Sequence, residues 1–101
     1  MSATLAVIWW RDIPAQVVAR EGRRTHKVVL DTRFQEAIDR AAVRAGLTAT
    51  DAYLAEWRRE QRACGDDLEA EASAESQLLD TAYPQARLAA LIAAGGKASD
   101  A

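Results

Sequence analysis

The stretch ATLAVIWW, residues 3–10, is rich in β-branched and aromatic side chains, which is typical of a β-strand. Neighbouring side chains in a strand point to opposite faces of the sheet. The two faces of this strand are both apolar: Leu5, Val7 and Trp9 form one, and Ala6, Ile8 and Trp10 form the other. Because helices that follow a small sheet usually cover one of its faces, the pattern requires a further cover for the second face.

The size and charge of the chain set the class of protein. Its 101 residues, half of them apolar, suit one globular domain with one core, predicted over residues 1–94, and a disordered tail over residues 95–101. The net charge of −2 gives no overall attraction to nucleic acid or anionic lipid, so such binding requires a local patch.

The single cysteine, Cys64, excludes an internal disulfide. The N-terminal apolar run is too short to span a bilayer, and we expect a soluble, cytoplasmic protein without membrane association.

A hairpin and then a helix follow the first strand. The stretch QVVAREGRRTHKVVL, residues 16–30, predicts two strands around a turn at Glu21 and Gly22. From Asp31 the apolar period becomes that of a helix, with Thr32 and Gln35 as its capping box. The apolar residues at helical spacing are Phe34, Ala37, Ile38, Ala41 and Ala45, and Gly46 stands at the C-cap.

The remainder of the chain is predicted to be helical. A second helix starts at Thr48 and Asp51 and continues through DAYLAEWRREQRAC, residues 51–64. The acidic segment 65–80 consists of good helix formers, and Pro84 opens a last helix over residues 84–94. The predicted fold is therefore α+β: a three-stranded antiparallel sheet at the N-terminus followed by three or four helices.

The second apolar face of the first strand has two possible covers. One is the C-terminal helix of the same chain, which would make Trp10 part of the core. The other is a partner protein, because tryptophan and arginine dominate many binding interfaces and Arg11 follows Trp10 directly. The candidate partner-binding residues are Trp9, Trp10, Arg11, Asp12 and Pro14. The sequence also permits a homodimer in which two copies cover each other's second sheet face.

The predicted hairpin is basic. Its candidate phosphate-binding residues are Arg20, Arg23, Arg24, Lys27 and Arg33. They could dock on nucleic acid, but no aromatic side chain is interleaved among them, and a solvated turn is the alternative. The acidic segment 66–80 could pair with this hairpin or with a basic face of a partner.

No catalytic constellation is recognisable in the sequence, and we predict no cofactor and no metal site. His26 is the only imidazole, and Cys64 lies beside acidic residues instead of the cations that activate a thiol. Asp31, Glu36 and Asp39 could perform acid–base chemistry, although charge on the exposed face of a helix explains them as well.

Three stretches together resemble a family of small bacterial proteins known as the conserved virulence factor family: IWWRDIPAQV, RFQEAIDRAAVRAGL and DAYLAEWRRE, all between residues 5 and 62. The most specific string is WWRDIP, residues 9–14. The resemblance implies association with other proteins, including enzymes of tetrahydrofolate-linked one-carbon metabolism. It supplies no catalytic residues.

The leading hypothesis is therefore a non-catalytic protein-interaction module or accessory subunit. It would hold its partner with the sheet face around Trp10 and Arg11 and with the basic hairpin. The alternative is a nucleic-acid-binding protein that uses the hairpin over residues 20–33. A small enzyme that uses carboxylates is a third class without a positive signal in the sequence.

Overall fold

The computed structural model describes residues 2–98. The strands and helices follow one another along the chain: β1 (Ala3–Trp10), β2 (Ile13–Glu21), β3 (Arg24–Val29), α1 (Thr32–Arg44), α2 (Thr50–Leu54), β4 (Trp57–Cys64), α3 (Leu68–Ala82) and α4 (Gln85–Ala93). The strands form one antiparallel sheet in the order β3-β2-β1-β4. Helix α3 packs against β2 and β3, while α1 packs against α4 and also contacts β2. The α+β class is confirmed.

The sheet has four strands, so the prediction of three was wrong. Residues 51–64 do not form one helix: α2 ends at Leu54, and β4 begins at Trp57. The arginines, glutamate and glutamine of β4 have good helix propensity, which explains the error. Pairing with β1 along the whole of β4, from Trp57 opposite Trp10 to Cys64 opposite Ala3, outweighs that propensity. As a result β1 is an inner strand with neighbours on both sides.

The hairpin and the other helices were predicted correctly. Strands β2 and β3 are joined by a turn in which Gly22 has a φ of 59°. Helix α1 begins at Thr32, but its N-cap is Asp31, whose side chain accepts from the backbone N–H of Arg33. Gly46 follows α1 with a φ of 74°, as a C-terminal glycine should. The acidic segment forms α3, and the segment after Pro84 forms α4.

The core lies between the α3 side of the sheet and the helices. Leu5, Val7, Val17 and Ala19 supply the sheet part of the core, and Leu68, Ala72 and Leu79 supply that of α3. At one end of the sheet, Tyr83 lies edge-on to both Trp9 and Phe34, with ring centroids 6.1 and 6.3 Å apart. Burial of these rings anchors α3 and α1 to the sheet.

The C-terminal end of the described chain packs on the domain. Gly95 and Gly96 are buried, and the backbone N–H of Ala98 donates to the carboxylate of Asp12 at 2.6 Å. Residues 95–98 of the predicted disordered tail thus make tertiary contacts, and residues 99–101 lie outside the described residues. Between residues 2 and 98, no helix has the length and apolar character needed to cross a membrane.

Candidate binding surface

Trp10 belongs to the core of the domain. Its side chain has an exposed fraction of 0%, and its indole N–H donates to the carbonyl of Tyr53 at 2.9 Å. The Tyr53 ring stacks on the Trp10 ring with the ring centroids 5.7 Å apart, and Gly96 lies beside Cζ3 and Cε3 of Trp10. The cover expected from the chain itself is therefore present at this end of the sheet, and the Trp10 ring is not accessible to a partner.

The rest of the WWRDIP string ties distant parts of the chain together. Arg11 has a φ of 52°, and its guanidinium pairs with Glu56 and donates to the carbonyl of Gly95 at 3.0 Å. Asp12 accepts from Arg58, and its backbone N–H donates to the carbonyl of Gly96. The turn between β1 and β2 thereby fixes both the start of β4 and the end of the described chain.

Two further residues of the predicted partner-binding set also have internal contacts. Pro14 is fully buried. Trp9 is partly buried on the α3 side of the sheet, where the Arg58 guanidinium lies 5.0 Å from its ring centre. Four of the five predicted residues thus sit in or beside the core, and Asp12 is held by hydrogen bonds; the structure gives the whole set a structural role.

The other side of the sheet is open. Strand pairing places three rows of side chains there: Thr25, Arg20, Thr4 and Ala63; Lys27, Val18, Ala6 and Gln61; Val29, Gln16, Ile8 and Arg59. We call these three rows the open face. Ala6, Ile8, Val18 and Val29 all lie outside the main core cluster, although Ala6 and Val18 are buried, with exposed fractions of 4% and 8%. Val29 is 66% exposed, and the partly buried Trp57 adjoins the third row.

The open face is positively charged. Each row contains one cation, Arg20, Lys27 or Arg59, and no row contains a carboxylate. Within residues 2–98, none of the three cations has an ion-pair partner. On the opposite face, by contrast, Arg62 pairs with Glu75 and Arg58 pairs with Glu60. The free positive charge of the sheet is therefore concentrated on the side that α3 does not cover.

The predicted basic hairpin is divided between the two faces. Arg24 pairs with Glu21 and donates to the carbonyl of Asp66, so the hairpin does contact the acidic segment. Arg33 pairs with Asp31 and Asp80 and is also part of the internal structure. Arg20 and Lys27 lie on the open face, and Arg23 is exposed in the turn.

Arg59 was missed because its segment was predicted to be helical. The available signal was the alternation along β4, in which Trp57, Arg59, Gln61 and Ala63 share one face.

The three candidate catalytic carboxylates lie apart. Asp31, Glu36 and Asp39 line three separate shallow grooves. Among residues 2–98, no group of three or more histidine, cysteine, aspartate or glutamate side chains is placed to hold a metal ion.

Cys64 is predicted to react slowly with thiol reagents at neutral pH. Burial and the nearby Glu71 carboxylate both disfavour the thiolate, so the pKa of Cys64 lies above its ordinary value. The rate of maleimide labelling in the folded protein should therefore rise only at a higher pH than in urea. Glu71→Gln should move this rise toward lower pH, and a midpoint below that of the unfolded chain would contradict the assignment.

Comparison with known proteins connects these features to a family. A search of curated proteins and a search of solved structures each found no match. The family described as virulence factor matches residues 8–92, which extends the resemblance from β1 through α3 to nearly the end of α4. Because the match covers most of the chain, including the WWRDIP string that joins its parts, the protein belongs to the virulence factor family.

Proposed function

We propose that this domain is a non-catalytic protein-binding module whose contact surface is the open face of its sheet. The observation that carries the proposal is a sheet face on which Val29 is exposed, Ile8 and the adjoining Trp57 are partly exposed, and three cations have no ion-pair partner within residues 2–98. Exposed apolar side chains that are surrounded by polar and charged residues are typical of a surface that contacts another protein. The function proposed here is the one hypothesised from the sequence, a protein-binding module. The contact surface differs, because it is the open face and not the region around Trp10.

Trp57 is the aromatic residue that we expect to contribute most to the free energy of partner binding. It lies opposite Trp10 in the sheet, next to the third row, and it contacts Tyr53 edge-on at 6.1 Å. The ring is held in place by this contact while part of it is exposed. A partly exposed aromatic ring beside arginine is a common composition for the residues that dominate an interface.

The family resemblance also suggests the class of partner. An accessory subunit for an enzyme of tetrahydrofolate-linked one-carbon metabolism would need a fixed docking surface and no catalytic residues of its own. The open face meets that requirement, because it lies on a paired sheet and not on mobile loops.

The three unpaired cations also favour a second candidate function, the binding of nucleic acid. Arg20, Lys27 and Arg59 would contact phosphates, and the affinity would then fall steeply with salt concentration. A titration with single-stranded RNA and DNA at low ionic strength tests this candidate, and a flat titration would exclude it.

Val29→Glu is predicted to abolish capture of the protein partner. The tagged full chain would be purified from its native lysate, with and without nuclease, and the co-purifying proteins identified by mass spectrometry. A carboxylate buried at the interface loses its hydration and replaces an apolar contact, which should weaken binding by about tenfold or more. Because Val29 is 66% exposed, the substitution should leave the stability of the domain nearly unchanged.

The matched control is Val43→Glu. Val43 is 68% exposed, but it lies on α1, away from the open face. A stoichiometric, nuclease-resistant partner that is lost with Val29→Glu and retained with Val43→Glu supports the proposal. Equal recovery with both variants would place the contact surface elsewhere.

A further inference from the structure

We propose that the partner covers the open face with an acidic amphipathic helix. This inference rests on the proposed function and specifies the segment that the surface holds. Three observations lead to it: the size of the face, its charge, and the way in which the same sheet already binds a helix on its other side.

The size of the open face fits one helix. Four strands about 4.8 Å apart, with three rows about 7 Å apart, form a patch about 15–20 Å across. A helix is about 10 Å wide and rises 1.5 Å per residue, so about 12 residues cross the patch. The apolar side chains that such a helix can contact are the exposed Val29, the partly buried Ile8 and the partly buried Trp57 beside the third row.

The charge of the open face selects the kind of helix. Arg20, Lys27 and Arg59 stand one in each row, and they require carboxylates along the flanks of the apolar stripe. A second copy of this chain is a poorer occupant, because a two-fold axis would place the same three cations against one another. Nucleic acid is also disfavoured, since base stacking needs aromatic rings and the centre of this face is aliphatic.

Helix α3 shows the same arrangement on the opposite face of the sheet. Its apolar stripe contacts the strands, and its acidic flanks pair with arginines: Glu75 with Arg62 of β4, and Asp80 with Arg33. The helix contains four acidic residues and no lysine or arginine. An acidic amphipathic helix is thus the kind of segment that this sheet binds within its own fold, and the open face offers a similar set of groups.

The test uses two synthetic helical peptides that share one leucine–alanine stripe and differ in their flanks, glutamate in one and lysine in the other. Each peptide is titrated into the full chain, and binding is followed by fluorescence anisotropy and by NMR shifts of the backbone amides. We expect the glutamate peptide to bind and to shift the amides of the open face, and the lysine peptide to bind at least about tenfold more weakly.

A double charge reversal tests the site itself. Lys27→Glu with Arg59→Glu should weaken the glutamate peptide by about tenfold or more and should strengthen the lysine peptide. The control is Arg40→Glu with Arg44→Glu, which reverses two exposed charges on α1 and should change neither affinity. If both double variants unfold on heating in the same way as the wild-type protein, they are folded.

Several results would overturn the inference. They are equal binding of the two peptides, no binding of the glutamate peptide, shifts confined to the α3 side of the sheet, and tighter salt-dependent binding of a single-stranded oligonucleotide to the open face. If neither peptide binds while Val29→Glu still abolishes capture of the native partner, the helix is wrong and the protein-binding function stands. If Val29→Glu has no effect on capture, the proposed function itself fails.

Discussion

Trp10→Ala is expected to lower the free energy of unfolding by about 3–5 kcal/mol, a large share of the stability of a domain of this size. The indole has an exposed fraction of 0%, so its removal leaves a large cavity. The substitution also removes the stacking contact with Tyr53 and the hydrogen bond from the indole N–H to the Tyr53 carbonyl. Urea unfolding followed by far-UV circular dichroism measures the change without depending on tryptophan fluorescence.

Trp57→Ala is the control for Trp10→Ala. Trp57 pairs with Trp10 across the strands, but it is only partly buried, so the loss should be about 1–2 kcal/mol. The proposed function adds a second contrast: Trp57→Ala should weaken partner binding in a domain that stays folded. Wild-type stability for Trp10→Ala would contradict the position of Trp10 in the core and return it to the candidate contact residues.

The two apolar faces of β1 were readable from the sequence, and they led to the most useful prediction. They indicated that helices would cover one face and that the other needed a separate explanation. The structure divides that second face. Its Trp10 end is covered by Tyr53 and the C-terminal turn, whereas Ile8 is only partly buried and Ala6, although buried, lies outside the cluster that contains Trp10. Periodicity identifies the residues of a face, but it cannot show where along the strand a cover ends.

The fourth strand was not predictable from local pattern alone. The segment WRREQRAC has the composition of an exposed helix, and its strand conformation depends on pairing with β1, more than 40 residues earlier in the chain. The missing strand also hid Arg59. Without β4 beside β1, the basic residues appeared to form one cluster on the hairpin. Only the register shows that Arg20, Lys27 and Arg59 share a face while Arg24 and Arg33 are paired elsewhere.

The WWRDIP string lies within the residues that match the family, and its chemistry suggested an interface. An arginine next to a tryptophan is equally typical of a binding site and of structural contacts within the fold, because both kinds of contact use the same hydrogen bonds and stacking. The deciding facts are the partners: Arg11 meets Glu56 and Gly95, and Asp12 meets Arg58 and Ala98. These residues are 45 to 86 positions away from their partners, beyond the reach of sequence patterns.

Gly96→Ala is expected to lower the free energy of unfolding by about 2–5 kcal/mol, although it adds a single methyl group. Gly96 has a φ of 94°, which costs a residue with a β-carbon about 1–2 kcal/mol. The new β-carbon would also stand 2.8 Å from Cζ3 and 3.3 Å from Cε3 of Trp10. The Trp10 ring is fully buried and fixed by Tyr53, so it cannot move aside without a further cost of about 1–3 kcal/mol. Urea unfolding of the purified variant measures the loss.

Gly46→Ala separates these two contributions. Gly46 has a similar positive φ of 74°, but a β-carbon there meets no atom within 4 Å, so the variant should lose only the backbone cost of about 1–2 kcal/mol. Equal losses for the two variants would mean that the turn at Gly96 does not press on Trp10. A larger loss for Gly96→Ala would establish that the C-terminal turn closes the core over Trp10. The covering of the Trp10 end of the second sheet face would then depend on this turn. The open face would begin beyond the part of the sheet that the turn covers.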